Sequence, residues 1–413
     1  MLSGELKLMI LNQLLSSTTK DSVVRLFFII SGLIVCSLVT LYSISDDPLS
    51  FNSSFYRQCI FLIFSSIVFF VIKNIPIKII HDNSTLIFIG TLILCIIPFF
   101  LPRVEYTYRW IDLGFFYIQP SEYLKCATVI VVAKYLSNHQ LEVKDNFVII
   151  IPSLLTLLSA SIVLNQPDLG TAVIIFAPLL PMLLWAGVRN FTIFLMIAPI
   201  ITILAASNII SFTIWAFIML CFFLTFQASI VTKSILYFAI IFTGLLTPFL
   251  WNNLADYQKQ RILTFLNPDL DPMGSAYHII QSITAIGSGG LFGKGWGAGS
   301  QTQLKFLPVQ ESDFILSVIA EEFGFFGISF VMLLCFLLIK TLLDIAFRSS
   351  DYFSSLVVVG LASILLSHIF INSAMTIGLM PVKGLPIPFI SAGGSFLLSC
   401  FIMIGLVVNF SKN

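Results

Sequence analysis

Long apolar runs separated by short polar breaks dominate the chain, and a run of about 20 mostly apolar residues can form a membrane-spanning helix. Twelve such spans are predicted: Val23–Ser43, Ile60–Ile72, Leu86–Phe100, Tyr123–Leu136, Phe147–Leu164, Thr171–Val188, Phe191–Ala206, Ile209–Val231, Ile235–Trp251, Phe314–Ile339, Phe353–Thr376 and Phe389–Phe410. The second, third and fourth are short as bounded and draw on flanking residues or a thin stretch of bilayer. One stretch breaks the pattern. Asn252–Gly324 sets Asp, Lys, Arg, Gln, His and many Gly between two membrane-scale apolar blocks. A connector between two helices needs only a few residues.

Composition strengthens this picture. Hydrophobic residues make up 58% of the 413 and charged residues 10%, with a mean hydropathy of +1.02, whereas a soluble domain carries about 25% charged residues. The expected fold class is therefore all-α, a polytopic integral membrane helix bundle. The net charge of +1 gives no electrostatic case for nucleic acid. The seven Cys all fall in apolar runs, and their odd count argues against a disulfide framework and a metal site. Small buried hydrophobes are the simpler reading. His81, His139, His278 and His368 have no ligand spacing. Residues 1–22 are read as a cytoplasmic tail, since the polar start lacks a short apolar core followed by a small-residue cleavage site.

Lys and Arg set the orientation. With the N-terminus inside, twelve fall on cytoplasmic loops and ends, while the short outer loops hold four: Arg57, Arg103, Arg109 and Lys383. That is a positive-inside bias. Residues 23–410 then form one membrane domain, 252–313 an extracytoplasmic loop before the tenth span, and 411–413 a cytoplasmic end.

Polar motifs punctuate the outer side. In Thr107–Lys125, Pro120 opens a helix and Glu122 suits its first turn. Glu122 and Lys125 lie three apart on one face. They read either as a structural ion pair or as a functional one, because ionisable groups entering a membrane are expensive. In NQPDLGT (Asn165–Thr171), Asp168 caps the next helix and Gly170 relieves its first turn. Seven Gly occupy Gly287–Gly299, yet a Walker loop fails: Ser288 stands where a Gly is needed and Gly295 follows Lys294. Two readings remain: a turn-rich loop, or backbone N–H groups offered to an anion such as a pyrophosphate, with Lys294 beside them. Asp313 opens the long apolar helix that follows, which is either ordinary dipole compensation or a site at the bilayer surface. Glu321 lies about 80° around that helix from Asp313, so both can border one cavity while Glu322 points away. In Gly378–Ser395, Pro381, Pro386 and Pro388 prevent regular helix, and a re-entrant or broken outer segment lining a cavity is expected.

These stretches together resemble the SEDS family (shape, elongation, division and sporulation), the polytopic peptidoglycan polymerases RodA and FtsW. The resemblance is carried by RWIDLG (Arg109–Gly114), QPSEYLK (Gln119–Lys125), QPDLGT (Gln166–Thr171) and Asp256–Ser282. It continues through AIGSGGLFGKGW (Ala285–Trp296), SDFILSVIAEEFG (Ser312–Gly324) and PVKGLPIPFISAGGS (Pro381–Ser395). DYQKQR, AYHIIQS and QPDLGT are closer to RodA. Three departures stand out. The family has ten spans, so two are surplus here, between Gly187 and Trp251. Glu311–Ser312 precedes Asp313 where His-Thr is common, and Ala392 stands where Tyr is usual.

The resemblance implies a function. Asp313 would be the residue required for polymerising lipid II, a disaccharide-pentapeptide on undecaprenyl pyrophosphate, with a class B penicillin-binding protein as transpeptidase partner. The candidate substrate residues are Arg109, Glu122, Lys125, Lys294, Gln303 and Glu321. Charge on the leaving pyrophosphate would be met by Arg109, Lys125 or Lys294, or by a divalent cation. Two rivals are a flippase for lipid II or a related polyprenyl-linked precursor, and a non-catalytic scaffold of the wall-synthesis complex. The elaborate outer loop, set against short and plain inner loops, favours chemistry on the outer face.

Overall fold

The computed structural model describes residues 4–103, 107–114, 116–140, 146–225, 230–253, 256–267, 271–272, 274 and 276–412, with the backbone alone for 4–20 and a few later positions. Residues 1–3 of the expected tail, Lys144 of the charge comparison, residues 226–229 of the eighth span and parts of the outer loop lie outside them.

The chain begins with α1 (Gly4–Ile44), which runs back through the expected tail, then α2 (Ser54–Ile72), α3 (Ile77–Asp82) and α4 (Ser84–Ile96), the last extended by a 3-10 turn at Ile97–Phe100. A two-stranded antiparallel ribbon, β1 (Ile111–Asp112) with β2 (Tyr117–Ile118), leads into α5 (Pro120–Asn138). Pro120 sits in the first turn of α5, where its missing N–H costs nothing, and Glu122 faces the positive end of the dipole. Next come α6 (Ile150–Asn165), α7 (Leu169–Phe176) and α8 (Leu179–Trp185). Asp168 caps α7 by accepting from Thr171 N. The predicted span Thr171–Val188 is thus two helices, parted at Pro178, which cannot donate to the ladder.

Helices α9 (Asn190–Ala205), α10 (Ile209–Thr225) and α11 (Ile230–Asn253) pack on one another around a small separate core of Ala198, Met219, Phe223 and Ile240. They join the rest through α8. These are the three helices of the region where two spans are surplus to the resemblance. The polar loop contains α12 (Asp256–Leu266), α13 (Tyr277–Gly289) and α14 (Ser300–Gln303), and the chain closes with α15 (Ile315–Arg348), α16 (Tyr352–Thr376) and α17 (Gly394–Phe410).

Two boundaries differ from expectation. Gly324, at φ 67° and ψ −160°, breaks α15 into a short piece, buried from Ile315 to Glu322, and a longer one. Asp313 does not open this helix; the residue before its first turn is Phe314. The chain from Phe389 to Gly393 is not helical, with Phe389 itself at φ 63°, so the last span starts at Gly394.

Among the described residues, five helices are long and apolar enough to cross a membrane: Asp21–Ile44, Ser54–Ile72, Lys233–Asn253, Ile315–Arg348 and Tyr352–Thr376. Shorter apolar helices fill six of the other predicted spans, and the remaining one, Tyr123–Leu136, lies within α5. Of the five long helices α16 is the most enclosed, packed by α15, α5, α17 and α8. At one end of the bundle Asn409 Nδ2 donates to Ile72 O and Ile75 O at 3.0 and 2.6 Å, and Lys134 Nζ to Asp82 O at 3.0 Å. The outer motifs gather at the other end.

Candidate active site

The non-helical segment between α16 and α17 is the frame of this second end. Its prolines leave carbonyls without helical partners, and such backbone is tolerated at membrane depth only when protein groups satisfy it. They do. Ser37 Oγ donates to Ile390 O at 2.6 Å, Gln58 Nε2 to Ser391 O at 3.3 Å, and Asn372 Nδ2 to Leu385 O at 2.6 Å. Ala392 N donates to Glu311 O at 2.9 Å, and Ser391 Oγ to Ser312 O. Two departures from the family pattern, Glu311–Ser312 and Ala392, therefore meet in space, and their pairing runs through backbone that either side chain leaves intact.

Asp313 stands in the turn that this pairing fixes. Its N–H donates to Val309 O at 3.1 Å, and Asn372 Nδ2 donates to its carbonyl at 2.8 Å. The side chain is half-buried, with Ser312 Oγ donating to Oδ1 at 3.1 Å. Opposite lies Gly384 at φ 63°, where a Cβ would come 3.2 Å from Asp313 Oδ2. Glycine supplies the left-handed backbone and leaves that edge of the carboxylate open. Burial raises the Asp313 carboxyl to about 6, against a smaller lowering by the Ser312 hydroxyl. A base titrating near neutrality is suited to proton transfer. His278, which showed no spacing pattern, stacks on the neighbouring Phe314 ring at 6.2 Å, and burial lowers its pKa.

The glycine-rich loop is held by carboxylates. Glu321 is fully buried and accepts from Lys294 Nζ at 2.8 Å, from Gln301 N and Thr302 N at 3.0 Å, and from the Ser300 and Ser288 hydroxyls. Lys294 N and Gly295 N donate to the carbonyls of Glu321 and Glu322 beside the Gly324 break. Glu322 accepts from Ser43 Oγ at 2.8 Å, tying the loop to α1, and Gln303 Nε2 bridges Ser43 O and Glu322 at 2.9 and 3.4 Å. These glycines serve close backbone approach. A Cβ on Gly289 would meet Ala320 O at 1.9 Å.

Glu122 and Lys125 form a buried pair at 2.8 Å, with Ser399 Oγ donating to Glu122 at 3.0 Å and Lys125 Nζ 2.9 Å from His368 Nε2. Arg109 holds the carbonyls of Gln166 and Pro167 and lies 3.9 Å from Asp168, which also accepts from Gln119 Nε2 at 3.0 Å. That turn packs on the proline-rich segment: a Cβ on Gly170 would meet Lys383 O at 2.9 Å. So the candidates form three groups around one frame: Asp313 beside Gly384, Arg109 behind Lys383, and Glu122–Lys125 beneath Pro386. Lys294, Gln303 and Glu321 belong instead to the glycine loop. Sequence reasoning missed His368 and Asn372, although two polar residues four apart on an apolar helix share a face. Among the described residues no three His, Cys, Asp or Glu side chains converge as a metal-ion ligand set.

The molecule is a multi-pass membrane helix bundle with a half-buried carboxylate, Asp313, framed by irregular backbone at one end. The family model for FtsW, RodA and SpoVE, described as cell cycle protein, matches residues 19–215 and 192–413. The chain belongs to this family. It is 31% identical over 388 residues to the peptidoglycan glycosyltransferase MrdB of Escherichia coli (strain K12), covering 93% of this chain and 92% of that one. To the peptidoglycan glycosyltransferase RodA of Treponema pallidum it is 32% identical over 361 residues, covering 79% and 82%. The fold is similar to a chain of a peptidoglycan synthase complex that coordinates polymerization and crosslinking (TM-score 0.71, 23% identity, 94% and 96% covered). It is also similar to Thermus thermophilus rod shape determining protein RodA (TM-score 0.61, 21% identity, 94% and 95% covered).

Proposed function

We propose that this chain is a peptidoglycan glycosyltransferase of the cytoplasmic membrane, polymerising lipid II into β-1,4 glycan on the outer face for cell elongation and shape. The observation that carries the reading is Asp313, a carboxylate raised to about 6 by burial yet open along its Gly384 edge. Asp313 is the general base. It takes the proton from the acceptor sugar's 4-hydroxyl, and that oxygen attacks the donor's anomeric carbon from the face opposite the pyrophosphate. The new bond forms with inversion as the pyrophosphate leaves. A positioned base supplies roughly 10²–10⁴-fold; orientation and charge stabilisation supply the rest.

Among the cations, Arg109 is partly exposed, as is Lys294, but its turn packs on the proline-rich frame that holds Asp313, which favours it for the leaving pyrophosphate. Lys125 is enclosed, and Lys294 is occupied by Glu321 and Ser300. Their roles are to hold the frame and the loop.

Both termini are cytoplasmic in this reading and 252–313 is extracytoplasmic, supported by the positive-inside bias. The working partner is a class B penicillin-binding protein whose transpeptidase crosslinks the emerging strand. The test uses purified protein with headgroup-labelled lipid II in liposomes. Glycan that a muramidase degrades is expected. Movement of the label between leaflets without any polymer would overturn the reading in favour of a flippase.

A further inference from the structure

The buried pair Glu122–Lys125 touches neither Asp313 nor the open edge beside it, yet it is connected to both. Lys125 Nζ lies 2.9 Å from His368 Nε2, across 243 residues of sequence. An ammonium has donors and no lone pair, so Nε2 must be the acceptor. The ring proton therefore sits on Nδ1, which lies 3.1 Å from Pro386 O and donates to it. One turn further along α16, Asn372 Nδ2 donates to Leu385 O at 2.6 Å and to Asp313 O at 2.8 Å. Both side chains are fully buried. Two consecutive carbonyls, Leu385 and Pro386, are thus gripped by two side chains on one helix face. The residue just before them is Gly384, which packs beside the Asp313 carboxylate.

We propose that His368 and Asn372 are positioning residues for the transfer reaction, a two-point clamp that sets Gly384 and Asp313 relative to each other. Glu122 and Lys125 act one step behind, fixing the tautomer and ring orientation of His368. Neither residue of the clamp touches substrate. Their effect reaches the chemistry through the placement of the base, where a 1 Å error costs on the order of 100-fold. This rests on the glycosyltransferase reading above.

The experiment measures kcat and KM for lipid II, together with thermal stability, on the full-length protein. His368→Leu keeps the volume but neither hydrogen bond. His368→Gln keeps an acceptor for Lys125 and a donor for Pro386. Asn372→Asp keeps shape and replaces the donor with an oxygen facing two carbonyls. His368→Leu and Asn372→Asp are expected to lower kcat roughly 10- to 100-fold with KM little changed, and His368→Gln to recover most of that loss. Asn372→Asp gives a reading independent of how well the His368 variants fold. Unchanged kcat in His368→Leu or Asn372→Asp overturns the clamp, as does a rise in KM alone. So does a kcat loss that His368→Gln fails to recover while matching His368→Leu in stability. A wild type that makes no glycan speaks against the glycosyltransferase reading; an active wild type with unaffected variants speaks against the clamp alone.

Discussion

Lys294 Nζ and Glu321 Oε1 pair at 2.8 Å across 27 residues, with the carboxylate fully buried, Gln301 N donating to the same oxygen and Thr302 N to Oε2. This carboxylate thus gathers the end of the loop around Ser300–Thr302. Glu321→Ala strands those donors and the ammonium, and breaking a buried pair this way costs about 3 kcal/mol or more. Lys294→Ala is expected to cost less, because the lysine is partly exposed and the backbone donors keep their acceptor. Thermal unfolding in detergent orders the two. Equal or reversed effects would contradict this account of the loop.

Glycines in the same loop should differ sharply. Gly293 has φ 80°, and a Cβ there would lie 2.1 Å from Glu322 O, whereas one on Gly287 would meet nothing within 4 Å. Gly293→Ala is expected to destabilise by at least about 1–3 kcal/mol, the range for overpacking, and to open the loop to limited proteolysis. Gly287→Ala should be close to neutral. A tolerated Gly293→Ala would mean the loop does not sit against the Gly324 break.

The Asp313 carboxyl titrates near 6 because burial disfavours its charge. As the proposed base, Asp313 acts when ionised, so kcat/KM should be lost as pH falls through about 6 and level off above it. The stability sign is opposite. A folded pKa above the carboxyl's ordinary value of 3.8 gives stability that is fully present at low pH and lost as pH rises through about 6. Asp313→Asn should therefore be more stable than wild type at pH 8, by up to about 3 kcal/mol, and lack that pH dependence. A less stable Asn variant at pH 8 would contradict the assigned environment.

Orientation has its own check. In a cysteine-free background, cysteines at Asn52 and Asn253 should react with a membrane-impermeant thiol reagent added to intact cells. Cysteines at Asn74 and Asn190 should react only after permeabilisation. The reverse pattern would place 252–313 inside and remove Asp313 from the outer face.

Much of the fold was legible because lipid demands long apolar helices, and every predicted span falls at least largely on helix. Backbone breaks were harder to read. Pro178 split a span visibly in hindsight, but Gly324 within α15 is signalled only by a glycine, which helices also tolerate. The expectation that Asp313 and Glu321 share one regular helix, 80° apart, failed for a different reason: Asp313 lies in the turn before Phe314, where the helix has not yet begun. Asp313 stands out in the sequence through its motif, and its proposed role still rests on the assay below. The grouping of the other candidates was not legible, because it depends on contacts such as Lys125 with His368 and Ala392 with Glu311, which join distant parts of the chain. The glycine run misled for a physical reason: composition alone cannot distinguish N–H groups offered to an anion from N–H groups taken up by Glu321 and Glu322.

The central claim is that Asp313 removes a proton in glycan synthesis, and one assay tests it most directly. Purified wild-type protein and Asp313→Asn are incubated with lipid II at pH 8, and glycan is separated by length. Polymer from the wild type and none from the equally folded Asn variant is the expected result; chains of normal length from Asp313→Asn would contradict it.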